Sequence, residues 1–260
     1  MSGRQVDYDH IASEYDQRFQ HDTSTGIASA LQGLLEIIAA RRVLEVGCGT
    51  GHWLGLAAEN VNSIFGLDLS VGMLRQAQRQ KLPLVLIQGR AEELPFAAGI
   101  LDLVYCVNAI HHFNQPEQFI QESARLLRPG GILAVFGSDP HHPDHQWYVY
   151  DYFDGTCQTD LDRFPSQERI HTWMGQCGFE HMQSRPAQWI REEKHGQEVL
   201  EDPFLSKEAT SQLTLLSDDA YQTGLARIKS DLKEASASGR ELVFRSTIQI
   251  FVTWGRLHGR

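Results

Sequence analysis

Val43-Leu44-Glu45-Val46-Gly47-Cys48-Gly49-Thr50-Gly51 is an apolar, β-branched run that ends in three glycines at alternate positions. The run predicts a buried strand of a parallel sheet, and the glycines predict a tight turn into a helix beginning near His52. Without side chains at every second position, the backbone can approach a ligand closely and aim amide donors of the helix N-terminus at it. In open α/β sheets ligands bind beyond the carboxyl ends of the strands, which is where this turn falls.

Around this stretch, further short apolar runs bounded by glycine, proline or polar turn residues occupy residues 63–69, 83–88, 101–107 and 131–137. With residues 42–46 they predict five parallel strands alternating with helices. Before the first strand, Ile27, Leu31, Leu34, Leu35 and Ile38 line one face of a covering helix. Later, Ser166 is placed to cap a helix carrying Ile170, Trp173, Met174 and Cys177, with Gly178 at its left-handed end. A sixth strand is expected near 179–190. Residues 191–239 carry no strand pattern, and Tyr221, Leu225, Ile228 and Leu232 give them helical spacing. A half-buried strand over 242–254 closes the chain. The expected organisation is one domain over 1–260, with 191–239 as a helical, lid-like insertion before the last strand.

The chain has 260 residues, 42% hydrophobic and 22% charged, with a formal net charge of −10, the composition of an ordinary globular protein. An acidic balance gives no electrostatic support for a nucleic-acid partner or a membrane surface. Cys48, Cys106, Cys157 and Cys177 show no zinc or disulfide spacing, and His141, His142 and His145 around Asp144 read as a solvated loop, so no metal is expected. The first residues lack the apolar core of a signal peptide, and no apolar run approaches the roughly 20 residues of a membrane span, so a cytoplasmic location is expected.

Residues 63–69 end near Asp68, an acid placed to accept both ribose hydroxyls of an adenosine. A dinucleotide site uses G-x-G-x-x-G to support a pyrophosphate, whereas the spacing here is G-x-G-x-G, with Glu45 two positions before Gly47. A carboxylate there repels phosphate and suits a cation. S-adenosylmethionine has an ammonium, a sulfonium and no phosphate. A nicotinamide-dependent oxidoreductase is therefore disfavoured, while a non-catalytic S-adenosylmethionine-binding module stays open beside an enzyme.

The chain resembles the class I S-adenosylmethionine-dependent methyltransferases, in particular the subgroup that includes ubiquinone-biosynthesis and small-molecule enzymes. The resemblance spans Tyr8 to Gly137 and rests on Val43 to Gly51, Asp68, Gln88-Gly89-Arg90-Ala91-Glu92-Glu93-Leu94-Pro95-Phe96, Asp102-Leu103-Val104, Asn108-Ala109-Ile110-His111-His112-Phe113 and Leu126-Leu127-Arg128-Pro129-Gly130-Gly131. It implies a Rossmann-like, doubly wound α/β fold with a mostly parallel seven-stranded sheet whose last strand is antiparallel. It places Gly47, Cys48 and Gly49 at the methionyl part, Asp68 at the ribose, and Leu69 and Met73 around the adenine. Ala91 and Glu92 fall at the adenine edge and Asn108 under the sulfonium. One departure is Arg90, which stands where the family has an acid that accepts from the adenine amino group.

Methyl transfer is an in-line displacement at an activated carbon, so alignment and water exclusion come first, and a base is needed only for a protonated acceptor. His112, after the fourth strand, is the candidate base. In the cyclopropane-forming relatives a Glu precedes this His, and His111 stands there instead, which disfavours that reaction. Tyr15, in the N-terminal stretch resembling the family's cover segment, could place its ring against the sulfonium, worth ~0.5–2 kcal/mol. Trp147, Tyr148, Tyr150, Tyr152 and Phe153 are expected to wall an acceptor pocket. The expected acceptor is a small molecule, and the oligomeric state is left open.

Overall fold

The computed structural model describes Asp9 and residues 25–58 and 61–259. In chain order the elements begin with α1 (Thr25–Ile37), β1 (Arg42–Val46), α2 (His52–Ala58), β2 (Ser63–Asp68) and α3 (Val71–Arg79). They continue with β3 (Val85–Gln88), β4 (Leu101–Val107), α4 (Pro116–Leu126), β5 (Leu127–Ser138), β6 (Gln146–Trp147), α5 (Val149–Tyr152) and α6 (Thr156–Arg163). Last come α7 (Gln167–Gln176), β7 (Phe179–His195), α8 (Ser211–Thr214), α9 (Asp218–Ala237) and β8 (Val243–Leu257). None of the described helices is long and apolar enough to cross a membrane.

Two compact units are present among these residues: one takes in 8–139, 165–188 and 250–260, the other 140–164 and 189–249. In the first, the strand order is β3-β2-β1-β4-β5-β8. The pairs among β1 to β5 are parallel, and residues 250–256 of β8 run antiparallel to β5. β1 lies between β2 and β4, so chain order reverses beside it, and the crevice at such a switch point is where ligands enter this fold. Leu44, Val46, Val104, Leu133 and Val135 are buried in the sheet. Such continuous apolar strands are what a parallel sheet covered on both faces requires. Ile27, Leu31, Leu34 and Leu35 are the buried face of α1, and Ser70 and Ser166 cap α3 and α7 with their hydroxyls.

Three strand boundaries differ from expectation. β5 starts at Leu127, not 131, because Leu127 pairs with Leu101 before a register shift, and Gly130 at φ 78° takes up the bulge. β6 is a two-residue strand paired with Thr247 and Ser246, too short for any periodicity to reveal. β7 runs on to His195, into the stretch expected to lack strand. There the alternation is carried by Ile190, Glu192 and Lys194, half-buried between exposed neighbours, a period that charged residues hide.

The second unit has its own core of Trp147, Tyr148, Val149, Phe153, Val199, Leu205, Leu213, Ile228, Leu232 and Phe244. Trp147, Tyr148 and Phe153, expected in a pocket wall, are packed into that core. Gly224 of α9 makes room for Phe153: a Cβ there would lie 2.3 Å from the ring. Three tyrosines spaced by two residues each donate to a carboxylate from a different segment: Tyr148 to Asp202 at 2.8 Å, Tyr150 to Asp160 at 2.7 Å and Tyr152 to Asp231 at 3.1 Å.

Candidate active site

The turn between β1 and α2 owes its shape to Gly47, at φ 72°, where an added Cβ would lie 2.6 Å from the Ala109 side chain. Only glycine combines that backbone with so close an approach. Four amides of this turn, ahead of the helix N-terminus expected to face a ligand, are bonded within the protein. Gly47 and Cys48 donate to the Leu67 carbonyl at 2.7 and 3.1 Å, Gly49 donates to Asp68 Oδ2 at 2.7 Å, and Gly51 donates to the Cys48 carbonyl at 2.9 Å. Parallel pairing of β1 with β2 brings the end of β2 under the turn, where three of these donors are spent, and the fourth, Gly51, is spent within the turn. They do not form a phosphate cradle.

Asp68 accepts a second backbone N–H, from Ser70, at 2.9 Å on Oδ1. Burial pushes its carboxyl above the usual carboxylate range, against the pull of the Ser70 and Gly49 amides. Glu45 is buried, and its Oε2 accepts from the Tyr105 hydroxyl at 3.1 Å. Burial holds the Glu45 carboxyl well above its ordinary value, opposed by the Tyr105 bond and reinforced by nearby Asp68. Cys48 is buried beside them, its thiol also pushed well up by burial and then by the two acids. Among the described residues no Lys, Arg or His forms an ion pair with Glu45 or Asp68. The result is a compact cluster of acids whose neutralising cation the described chain does not supply.

The loop after β4 closes on the same turn. Asn108 sits in the left-handed region at φ 49°, which Asn tolerates, and its amide donates to the Phe136 carbonyl at 2.8 Å. His112 belongs to a single 3₁₀ turn, Ile110–His112, with the His111 and His112 ring centroids 3.9 Å apart. Met73 and Ala91 are buried, and Leu69 is half exposed. Glu92 accepts from the Asn114 and Gln115 amides at 2.7 and 3.2 Å and pairs with Arg90 at 3.5 Å. Tyr15 lies outside the described residues.

Residues 44–135 match the family described as "Methyltransferase domain". An uncharacterized methyltransferase of Synechocystis is 33% identical over 149 residues, 56% of this chain and 69% of that relative. The chain belongs to the S-adenosylmethionine-dependent methyltransferases. This methyltransferase is also 29% identical over 206 residues to a ubiquinone/menaquinone biosynthesis C-methyltransferase of Syntrophotalea carbinolica, 68% of the chain and 86% of the relative. The chain spans only 41–43% of the length of three other curated relatives. A solved putative methyltransferase from an antibiotic biosynthesis pathway of Anabaena variabilis shares the fold with a TM-score of 0.64 at 20% identity, over 89% of this chain and 96% of that one.

Several residues that shape the methyltransferase site were not visible beforehand. Tyr105 reaches Glu45 because the register of β1 and β4 sets the two side by side, and register is not written in either strand alone. Glu122 and Arg125 of α4 fasten the segment after β3. Glu122 accepts the Leu94 amide at 2.9 Å, while Arg125 donates to the Leu94 and Phe96 carbonyls at 2.9 and 2.8 Å. Their i, i+3 spacing announces an ion pair on one helix face but not its backbone targets.

Proposed function

We propose that this methyltransferase transfers a methyl group from S-adenosylmethionine to a small-molecule acceptor by in-line displacement. The observation that carries the reading is the placement of Glu45 and Asp68, without a cation among the described residues, beside a turn whose Gly47, Cys48, Gly49 and Gly51 amides are already bonded, a donor set suited to a cationic, phosphate-free cofactor. When bound, the cofactor supplies a methyl carbon activated by its sulfonium.

In this reading Asp68, held by two amides, accepts the ribose hydroxyls, and Glu45, held by Tyr105, faces the methionyl ammonium with Gly47, Cys48 and Gly49. Leu69, Met73, Ala91 and Glu92 surround the adenine. Asn108 supports the sulfonium end, and Tyr15 packs against it. His112 orients the acceptor or takes its proton where the acceptor carries one, and exclusion of water with good alignment supplies the larger part of the rate. Residues 191–239 set acceptor identity as an insertion within one methyltransferase domain. The acidic chain and the C-methyltransferase relative support a small organic acceptor over a nucleic acid.

The test is incubation with methyl-labelled S-adenosylmethionine and a metabolite extract, followed by identification of labelled products. A labelled small molecule is expected with the wild type and none with Asp68→Ala. Equal cofactor affinity of the two proteins would refute the site, and absence of any labelled product would refute the reaction.

A further inference from the structure

The segment after β3 links the two sides of the site. It starts at Gly89, whose amide donates to the Asp68 carbonyl at 3.0 Å, and passes through buried Ala91 to Glu92. Glu92 then turns away: its Oε1 accepts from the Asn114 and Gln115 amides. These residues follow Phe113, whose ring lies about the Gly47 position, and directly precede α4. Gln115, the N-cap of α4, makes no side-chain cap of its own, so a carboxylate from a distant segment serves the start of this helix. The far end of the same segment is fixed to α4 by Glu122 and Arg125. The loop bearing Asn108, His111 and His112 is thereby held between β4 and a helix start whose position depends on Glu92.

We infer that Glu92 is a positioning residue that couples occupancy of the adenine side to the loop carrying His111 and His112. The inference rests on the cofactor reading above. A cofactor that orders residues 89–92 orders Glu92, and Glu92 orders 114–115 and the 3₁₀ turn before them; ordering at one site then reaches the other without a change of fold.

The test is hydrogen exchange of the full chain, read on peptides covering 109–115, with and without S-adenosylhomocysteine, in the wild type, Glu92→Gln, Glu92→Ala and Glu92→Asp. Gln keeps an oxygen that can accept both amides, whereas Asp keeps the charge but is one methylene too short. In the wild type and Glu92→Gln the ligand should slow exchange by about fivefold or more. In Glu92→Ala and Glu92→Asp, with ligand saturating for each protein, it should slow it less than about twofold. A residue with only a structural role would raise exchange with and without ligand alike and leave that ratio unchanged. The same ratio in all four proteins would overturn the inference. Failure of the wild type to bind the ligand at all would overturn the cofactor reading, and the inference with it.

Discussion

In the unit built on the parallel sheet, Glu45 and Asp68 lie among other acids and a thiol, whereas in the second unit Asp160 and Asp202 have cations from their own segments close by. Asp202 has Lys194 Nζ at 3.9 Å, and at Asp160 burial raises the carboxyl while Arg163 opposes that rise. All four acids accept hydrogen bonds from the protein. The difference is therefore one of charge compensation, not of hydrogen bonding. Burying a carboxylate is costly unless a cation offsets it. Where the chain supplies the cation, the acid fastens helices. Where it does not, the acid suits the cationic cofactor proposed above.

The contrast is broken most directly at Glu45. With its carboxyl held well above the ordinary value by burial, Glu45 in the free protein keeps its proton to a higher pH than an ordinary carboxyl does. A cationic ligand favours the ionised form and lowers that pKa, so binding releases a proton and affinity rises with pH up to the free-state pKa. Glu45→Gln removes the charge but keeps an acceptor for Tyr105. It should weaken S-adenosylmethionine binding by about 2 kcal/mol or more, roughly 30-fold, and abolish the proton release. Titration calorimetry in two buffers of different ionisation enthalpy measures both. Unchanged affinity and unchanged proton release would place Glu45 outside the cofactor site.

The second unit is tested by crowding its core. In Gly224→Val the new side chain must enter space where a Cβ alone would stand 2.3 Å from the Phe153 ring. Phe153 is fully buried and also stacks on Tyr221, with ring centroids 5.8 Å apart, so it has little room to yield. Such overpacking should cost about 3 kcal/mol of stability, read by denaturant unfolding. Binding of S-adenosylhomocysteine to the protein that remains folded should stay within about threefold of wild type, since the acids proposed to hold it belong to the other unit. Wild-type stability would show that this packing does not support the second unit.

The two units were not equally legible in the sequence. Apolar runs, alternate glycines and Asp68 mark the sheet because strand burial and turn geometry act over a few residues. Glu45 and Asp68 could be named as a pair, but not the Tyr105 bond that orients one, nor the use of the turn's amides by Leu67 and Asp68, because both depend on strand register. In the second unit the decisive contacts join residues 54, 10 and 79 positions apart, and a tyrosine in sequence does not show which acid it will meet. The aromatic run 147–153 therefore reads as a pocket wall, and only the burial of Trp147, Tyr148 and Phe153 puts those three rings in the core instead.

The smallest effect concerns Asp160, whose ionisation the second unit resists despite its partners. Burial raises its carboxyl to about 6, against hydrogen bonds from Tyr150 and Gln212 and the charge of Arg163, while Oδ1 is buried without a hydrogen-bond partner among the described residues. His145 joins the cluster through Tyr150, 3.2 Å from its hydroxyl, and Cys157 lies close enough for its own thiol to be raised by Asp160. Because the folded pKa exceeds the unfolded one, the folded state holds this proton more tightly. Its contribution is fully present below about pH 4 and is lost as pH rises through about 6. Asp160→Asn keeps an acceptor for Tyr150 and Gln212 but cannot ionise. Its stability relative to wild type should therefore climb by about 1–2 kcal/mol between pH 4 and pH 7, and comparing the two proteins cancels the titration of distant carboxylates. Parallel stability curves across that range would mean that Asp160 ionises as readily in the folded protein as in the unfolded chain.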